Sequence, residues 1–146
     1  KYFLESRLTK RMEPTGTKSA MDYYGLLKSP RGGEELRFLL DEVTTNETYF
    51  FRCVPQLNAI ETKFLPEIVE AKSKMGFRKL RIWSAASSSG EEAYTLAMML
   101  LEKRSSILKD WIIETNGTDI NETVFSHAKE GIYNAYSVRN VPDLYK

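Results

Sequence analysis

Apolar side chains return at helical intervals through most of the first 78 positions of the chain, and the pattern then changes. Phe3, Leu4, Leu8 and Met12 form one stripe over residues 1–12, with Arg7, Lys10 and Arg11 outside it. Pro14 and Gly16 are expected to end this first helix. A second short helix is predicted over residues 19–27. After the turn residues 29–33, a third runs over 34–43 and is expected to bury Leu36, Leu39, Leu40 and Val43. Residues 56–74 repeat the spacing through Ile60, Phe64, Leu65, Ile68 and Val69 until Gly76 breaks it.

From Lys79 onward the pattern alternates. Residues 80–83 are short and β-compatible, and they feed the small-residue run 84–90. A helix follows from Glu91, with Ala93, Leu96, Ala97, Leu100 and Leu101 as its expected packing stripe. Residues 111–115 read as a second strand, and 121–129 as a helix with Val124 and Ala128 facing inward. Strand, helix, strand implies a right-handed crossover and a parallel sheet. The expected organisation is a helical domain over 1–54, a helical linker over 55–78 and an open α/β unit over 79–146. Two parallel strands are few, because such sheets are normally wider and covered on both faces. The sheet is therefore expected either to continue in a larger domain or to be completed by self-association with a second copy.

Composition narrows the class. The chain has 146 residues, 42% of them hydrophobic and 28% charged, as in ordinary globular proteins, which excludes a wholly disordered chain. The net charge of +1 gives no global bias toward nucleic acid or a membrane surface. With a single cysteine, Cys53, neither an intrachain disulfide nor a cysteine-based zinc site can form, and a reducing, cytoplasmic setting fits. The apolar run 96–101 is far shorter than the roughly 20 residues needed to cross a bilayer. No signal peptide is apparent, and a chain opening on Lys1 reads as clipped at its start.

Three segments could carry chemistry. Residues 83–94 place a loop of tiny side chains between a strand end and a helix start, where open α/β sheets bind ligands. The G-x-G-x-x-G pattern is absent, and Glu91 and Glu92 in the first helical turn would repel a phosphate, so a cationic or zwitterionic ligand suits the loop better. A plain turn with dipole-complementing acids is the alternative. In Gly117-Thr118-Asp119-Ile120-Asn121 an acid ends the second strand, where a carboxylate can accept two hydrogen bonds from a ribose diol; helix capping by Asp119 or Asn121 is the alternative. Residues 44–52 join three aromatics to Asn46, Thr48 and Arg52, which is either a ligand wall or a core linker with a solvated arginine.

Taken together, the strings TTNETYFFR, RIWSAASSSGEEAYTLAM, GTDIN and Gly131-Ile132-Tyr133 resemble the CheR-type chemotaxis-receptor glutamate O-methyltransferases, in order and over nearly the whole chain. The resemblance implies an α/β fold: a small N-terminal helical domain followed by the first part of a Rossmann-like S-adenosylmethionine-dependent methyltransferase domain, its parallel sheet truncated. It implies S-adenosylmethionine as cofactor, S-adenosylhomocysteine as product, and methyl-accepting chemotaxis receptors as partners. Asn46, Thr48, Arg52, Glu92 and Asp119 match the family's cofactor-binding positions, and Arg7, Lys10 and Arg11 match the basic region that faces the receptor. Methyl transfer to an already ionised glutamate is a matter of positioning, so no catalytic base or metal is expected, with a contribution from Arg52 at most. His127 is expected on the surface. Later family motifs have no counterpart before Lys146, so the chain reads as a fragment inactive alone; a non-catalytic cofactor- or receptor-binding module is the alternative.

Overall fold

The computed structural model describes residues 2–146. Its order is α1 (Tyr2–Thr15), α2 (Ala20–Lys28), α3 (Gly32–Val43), α4 (Val54–Ala59), α5 (Leu65–Lys74), β1 (Lys79–Ala85), α6 (Glu91–Glu102), β2 (Ile112–Thr118) and α7 (Glu122–Glu130). None of these helices is long and apolar enough to cross a membrane. Local chemistry sets the boundaries. Ser19 caps α2 by accepting from the Asp22 N–H, and Asn121 caps α7 by accepting from the Val124 N–H. Contrary to expectation, α1 continues through Pro14, which stands in its last turn; Gly16, with φ of 68°, then turns the chain away.

The three N-terminal helices are joined by charge as much as by apolar contact. Arg11 holds Glu35 of α3 through two hydrogen bonds, at 3.0 and 2.8 Å, and Tyr23 of α2 donates to the same carboxylate at 2.7 Å. Arg7 and Lys10 both meet Glu42, at 2.6 and 2.8 Å. The expected apolar stripe of α1 is therefore incomplete. Phe3 and Leu4 are exposed, while Arg7 and Arg11 lie half-buried on the face toward α3. On α3, Leu36 is likewise exposed rather than buried.

Helices α4 and α5 form one continuous rod in which residues Ile60–Phe64 widen into a π segment. Pro66 supplies the physical reason: it has no N–H to offer the Thr62 carbonyl, and its ring crowds the preceding turn. The rod packs through Leu57 and Leu65 against the α/β unit. There, β1 and β2 pair in parallel from Lys79↔Ile112 to Ala85↔Thr118, with α6 as the crossover. One core cluster joins Phe50, Phe51, Leu57, Leu96, Met99 and Val141; a second joins Leu65, Leu80, Leu100, Leu108 and Trp111. The inward face of α6 is rotated from the predicted stripe, with Thr95 and Met99 buried and Leu101 exposed.

The Tyr23–Glu35–Arg11 cluster has a pH signature. Burial pushes the Tyr23 phenol up to about 12, aided by its bond to Glu35. Burial also works against the Glu35 charge, but the bonds from Arg11 and Tyr23 outweigh it and hold the carboxyl below its ordinary value. Stability from Glu35 is thus present above the unfolded carboxylate range and lost as pH falls through the folded value. Stability from Tyr23 is present below pH 10.0 and lost as pH rises toward about 12. Glu35→Gln is expected to lower stability in urea unfolding by about 2 kcal/mol and to flatten the acid limb. An unchanged midpoint and acid limb would show that the cluster contributes nothing.

Candidate functional site

Because β1 and β2 are parallel and in register, their C-terminal ends present residues 86–90 and Asp119 side by side. The connection into α6 requires left-handed backbone at Ala86, Ser88 and Gly90, with φ of 58°, 51° and 94°. Four hydrogen bonds hold it. Ser87 N–H donates to the Thr118 carbonyl at 2.9 Å, Ser88 N–H to Asp119 Oδ2 at 2.7 Å, Gly90 N–H to the Ser87 carbonyl at 2.9 Å, and Tyr133 O–H to the Ser89 carbonyl at 2.7 Å. Burial, with the nearby charge of Glu91, raises the Tyr133 phenol above its ordinary value, so it remains a donor. A Cβ at Gly90 would lie 3.0 Å from that of Ala128, and one at Gly117 would lie 2.8 Å from Ser87 Oγ.

The two glutamates that open α6 point in different directions. Glu91 is 2% exposed; its carboxylate accepts from Ser89 Oγ at 2.7 Å and Ser137 Oγ at 3.1 Å. Glu92 is exposed, accepts from Ser84 Oγ at 2.6 Å and faces a cavity of about 590 Å³. Asp119 accepts from the N–H groups of both Ser88 and Asn121, and its half-buried oxygens keep further lone pairs for a ligand. Capping of α7 falls to Asn121 alone, which leaves Asp119 free to hold the loop.

Residues 44–53 reach the same place from the other side. Phe50 N–H donates to the Ser137 carbonyl at 3.0 Å, and Phe51 N–H to Thr95 Oγ1 at 3.1 Å. Their buried rings meet Tyr133 edge-on at 4.7 Å and Tyr145 stacked at 5.1 Å. Phe51 and Cys53 both take positive φ, so the chain turns sharply on either side of Arg52, which is thrust outward. Arg52 then donates to the Glu47 carbonyl and lies 5.6 Å from the Tyr49 ring centre. The segment is thus both of the things its sequence offered: two aromatics anchor it in the core, and Tyr49 and Arg52 belong to a cavity wall.

Thr48, Arg52 and Glu92 line the cavity with Leu57, Trp83 and Leu96. Asn46 and Asp119 do not line it. They converge instead on Ser88, which does: the Asn46 carbonyl accepts from Ser88 Oγ at 3.3 Å, while Asp119 takes its N–H. Sequence reasoning took Ser84 and Ser88 only as members of the small-residue loop and missed Ser137 altogether, since a serine gives no sign of a partner distant in the chain. Arg7, Lys10 and Arg11 are not brought to this cavity; their charges are matched by Glu35 and Glu42. His127 is exposed on α7 beside Glu130.

Comparison with known proteins matches nearly the whole chain to two family models. Residues 46–146 match the family described as CheR methyltransferase, SAM binding domain, and residues 1–44 match CheR methyltransferase, all-alpha domain. A chemotaxis protein methyltransferase of Borreliella burgdorferi is 36% identical over 146 residues, covering 100% of this chain and 52% of that protein. Chemotaxis protein methyltransferase 2 of Vibrio cholerae is 37% identical, covering 98% of this chain and 48% of its own length. Chemotaxis protein methyltransferase 1 of Pseudomonas aeruginosa is 34% identical over 94% of this chain and 49% of its own. The chain thus spans about half the length of these curated relatives.

The strand-to-helix turn admits a direct test. Gly90→Ala forces an L side chain into φ of 94° against Ala128 and is expected to cost about 2 kcal/mol, roughly 5 °C in melting temperature. Gly33→Ala, where a Cβ meets open space, should be neutral or slightly stabilising. Equal melting temperatures for the two variants would contradict the geometry of the turn.

Proposed function

Since the chain belongs to the CheR methyltransferase family and carries its S-adenosylmethionine-binding domain, we propose that it forms the cofactor-holding half of a cytoplasmic enzyme that methylates glutamate side chains of chemoreceptors. The observation that carries this reading is the convergence of Glu92, Thr48 and Arg52 on one cavity, beside the Ser88 turn that Asp119 and Asn46 hold. A volume of about 590 Å³ lies within the range of small-molecule sites. Its lining fits the cofactor: the Glu92 carboxylate for a ligand bearing an ammonium and a sulfonium, the Thr48 and Ser88 hydroxyls for a ribose, and apolar Leu57, Trp83 and Leu96 for a flat ring.

When bound, S-adenosylmethionine supplies a methyl group made electrophilic by its sulfonium. The residues of the chain orient and desolvate. Glu92 is fixed by Ser84 and places negative charge at the cavity wall. Asp119, beside the Ser88 turn, would hold the ribose hydroxyls with the lone pairs that its bonds to the Ser88 and Asn121 N–H groups leave. Arg52, at the outer wall, steers an incoming carboxylate. A glutamate with an ordinary pKa of about 4.3 arrives ionised, so no residue has to remove a proton, and rate comes from alignment and exclusion of water. Arg7, Lys10 and Arg11 are left out of this reading, because their partners within the helical domain already engage them.

Calorimetric titration with S-adenosylhomocysteine tests the proposal. The chain should bind it, and Glu92→Ala and Asp119→Ala should each weaken binding at least about tenfold, a loss of roughly 1.4 kcal/mol. No binding by the unaltered chain, or variants as tight as it, would contradict the assignment.

A further inference from the structure

Beyond the cavity wall stands an arginine that the cofactor reading leaves unused. The guanidinium of Arg139 sits 3.7 Å from the ring centre of Tyr49 and 3.6 Å from that of Tyr136, and donates to the Tyr136 carbonyl at 2.5 Å. Arg52 approaches the same Tyr49 ring at 5.6 Å, and Tyr49 lines the cavity. Arg7, Arg11, Arg37, Arg78 and Arg81 each meet a carboxylate. Among the described residues, Arg31, Arg52, Arg104 and Arg139 are in no such pair, and of these Arg52 and Arg139 flank one aromatic ring, that of Tyr49. The carboxylate on this rim, Glu47, instead accepts from the Tyr136 hydroxyl at 3.4 Å.

The segment bearing Tyr136 and Arg139 is firmly placed. Ser137, between them, donates to buried Glu91 and accepts from the Phe50 N–H, and Val141 enters the core. A guanidinium stacked on two rings has already lost much of its rotamer freedom, and the N–H groups at its edge remain available for a planar, two-oxygen acceptor. Two guanidiniums that flank one ring of the cavity wall, neither of them in an ion pair, favour an anion beside that ring.

We propose that Arg139 is a substrate-binding residue that, with Arg52, receives a carboxylate side chain of an acidic peptide at the mouth of the cavity. This rests on reading the cavity as the place of the methyl donor. It explains selection of an acid over its amide: a carboxylate offers two charged oxygens to guanidinium N–H groups, whereas an amide has a single oxygen to offer and an NH₂ that faces donors.

The test uses the whole chain, a helix-forming peptide rich in glutamate and its glutamine counterpart, with and without S-adenosylhomocysteine. The unaltered chain should bind the glutamate peptide roughly tenfold more tightly. R139Q should abolish that preference while keeping its affinity for S-adenosylhomocysteine. R139K, which keeps the charge but loses the stacked fork, should retain part of it. R104Q, which removes an exposed arginine elsewhere, should retain all of it. No preference in the unaltered chain, a preference that survives R139Q, or an equal loss in R104Q would overturn the inference. Failure to bind S-adenosylhomocysteine would instead contradict the cavity assignment, because the peptide preference is also measured without it.

Discussion

The hydrogen bond from the Ser88 N–H to Asp119 is the constraint on which the rest of this site depends. Left-handed backbone at Ala86 and Ser88 is unfavourable for residues with side chains, at about 1–3 kcal/mol each. A charge-assisted bond from the end of the neighbouring strand offsets part of that cost. It is available only because the strands are parallel and in register, so that Ala85 lies opposite Thr118 and the two chain ends emerge together. The turn then delivers α6 with Glu91 facing inward and Glu92 facing the cavity. One carboxylate thereby serves structure, and its neighbour is left for a ligand.

The opposite wall is fixed by a different device. Phe50 and Phe51 tie the segment 44–53 to Thr95, Tyr133, Ser137 and Tyr145, so Thr48, Tyr49 and Arg52 are positioned from the core of the α/β unit. The helical domain joins the same unit through Asn121, which donates to the Thr44 hydroxyl at 2.7 Å and the Asp41 carbonyl at 3.2 Å, and through Thr123, which donates to the Asp41 carboxylate. Asn121 thus caps α7 and docks α3 at once, which ties the start of the segment 44–53 to the end of β2.

Much of this was legible in the sequence because it is local. Periodicity, Asn121 as a cap, and the change from helical to alternating pattern identify the helices and the β-α-β unit. Other features depend on partners distant in the chain. Arg7 and Arg11 read as a polar face until Glu42 and Glu35 are brought opposite them, and Leu36 reads as core until that charged interface occupies the place. Thr95 looks misplaced in an apolar helix until its hydroxyl accepts from the Phe51 N–H. Ser88 gives no sign of its positive φ, and the widened turn before Pro66 is visible only once the rod is seen to be continuous. Tyr136 and Arg139 read as ordinary loop residues until Tyr49 is placed beside them.

The most direct measurement is a structure of the chain with S-adenosylhomocysteine bound. The account predicts the ligand in the cavity between Thr48 and Glu92, its ribose hydroxyls on Asp119, and the Ser88 N–H still bonded to that carboxylate. A ligand lodged elsewhere, or an Asp119 that must release Ser88 to reach it, would contradict the central claim that one aspartate both builds the turn and serves the cofactor.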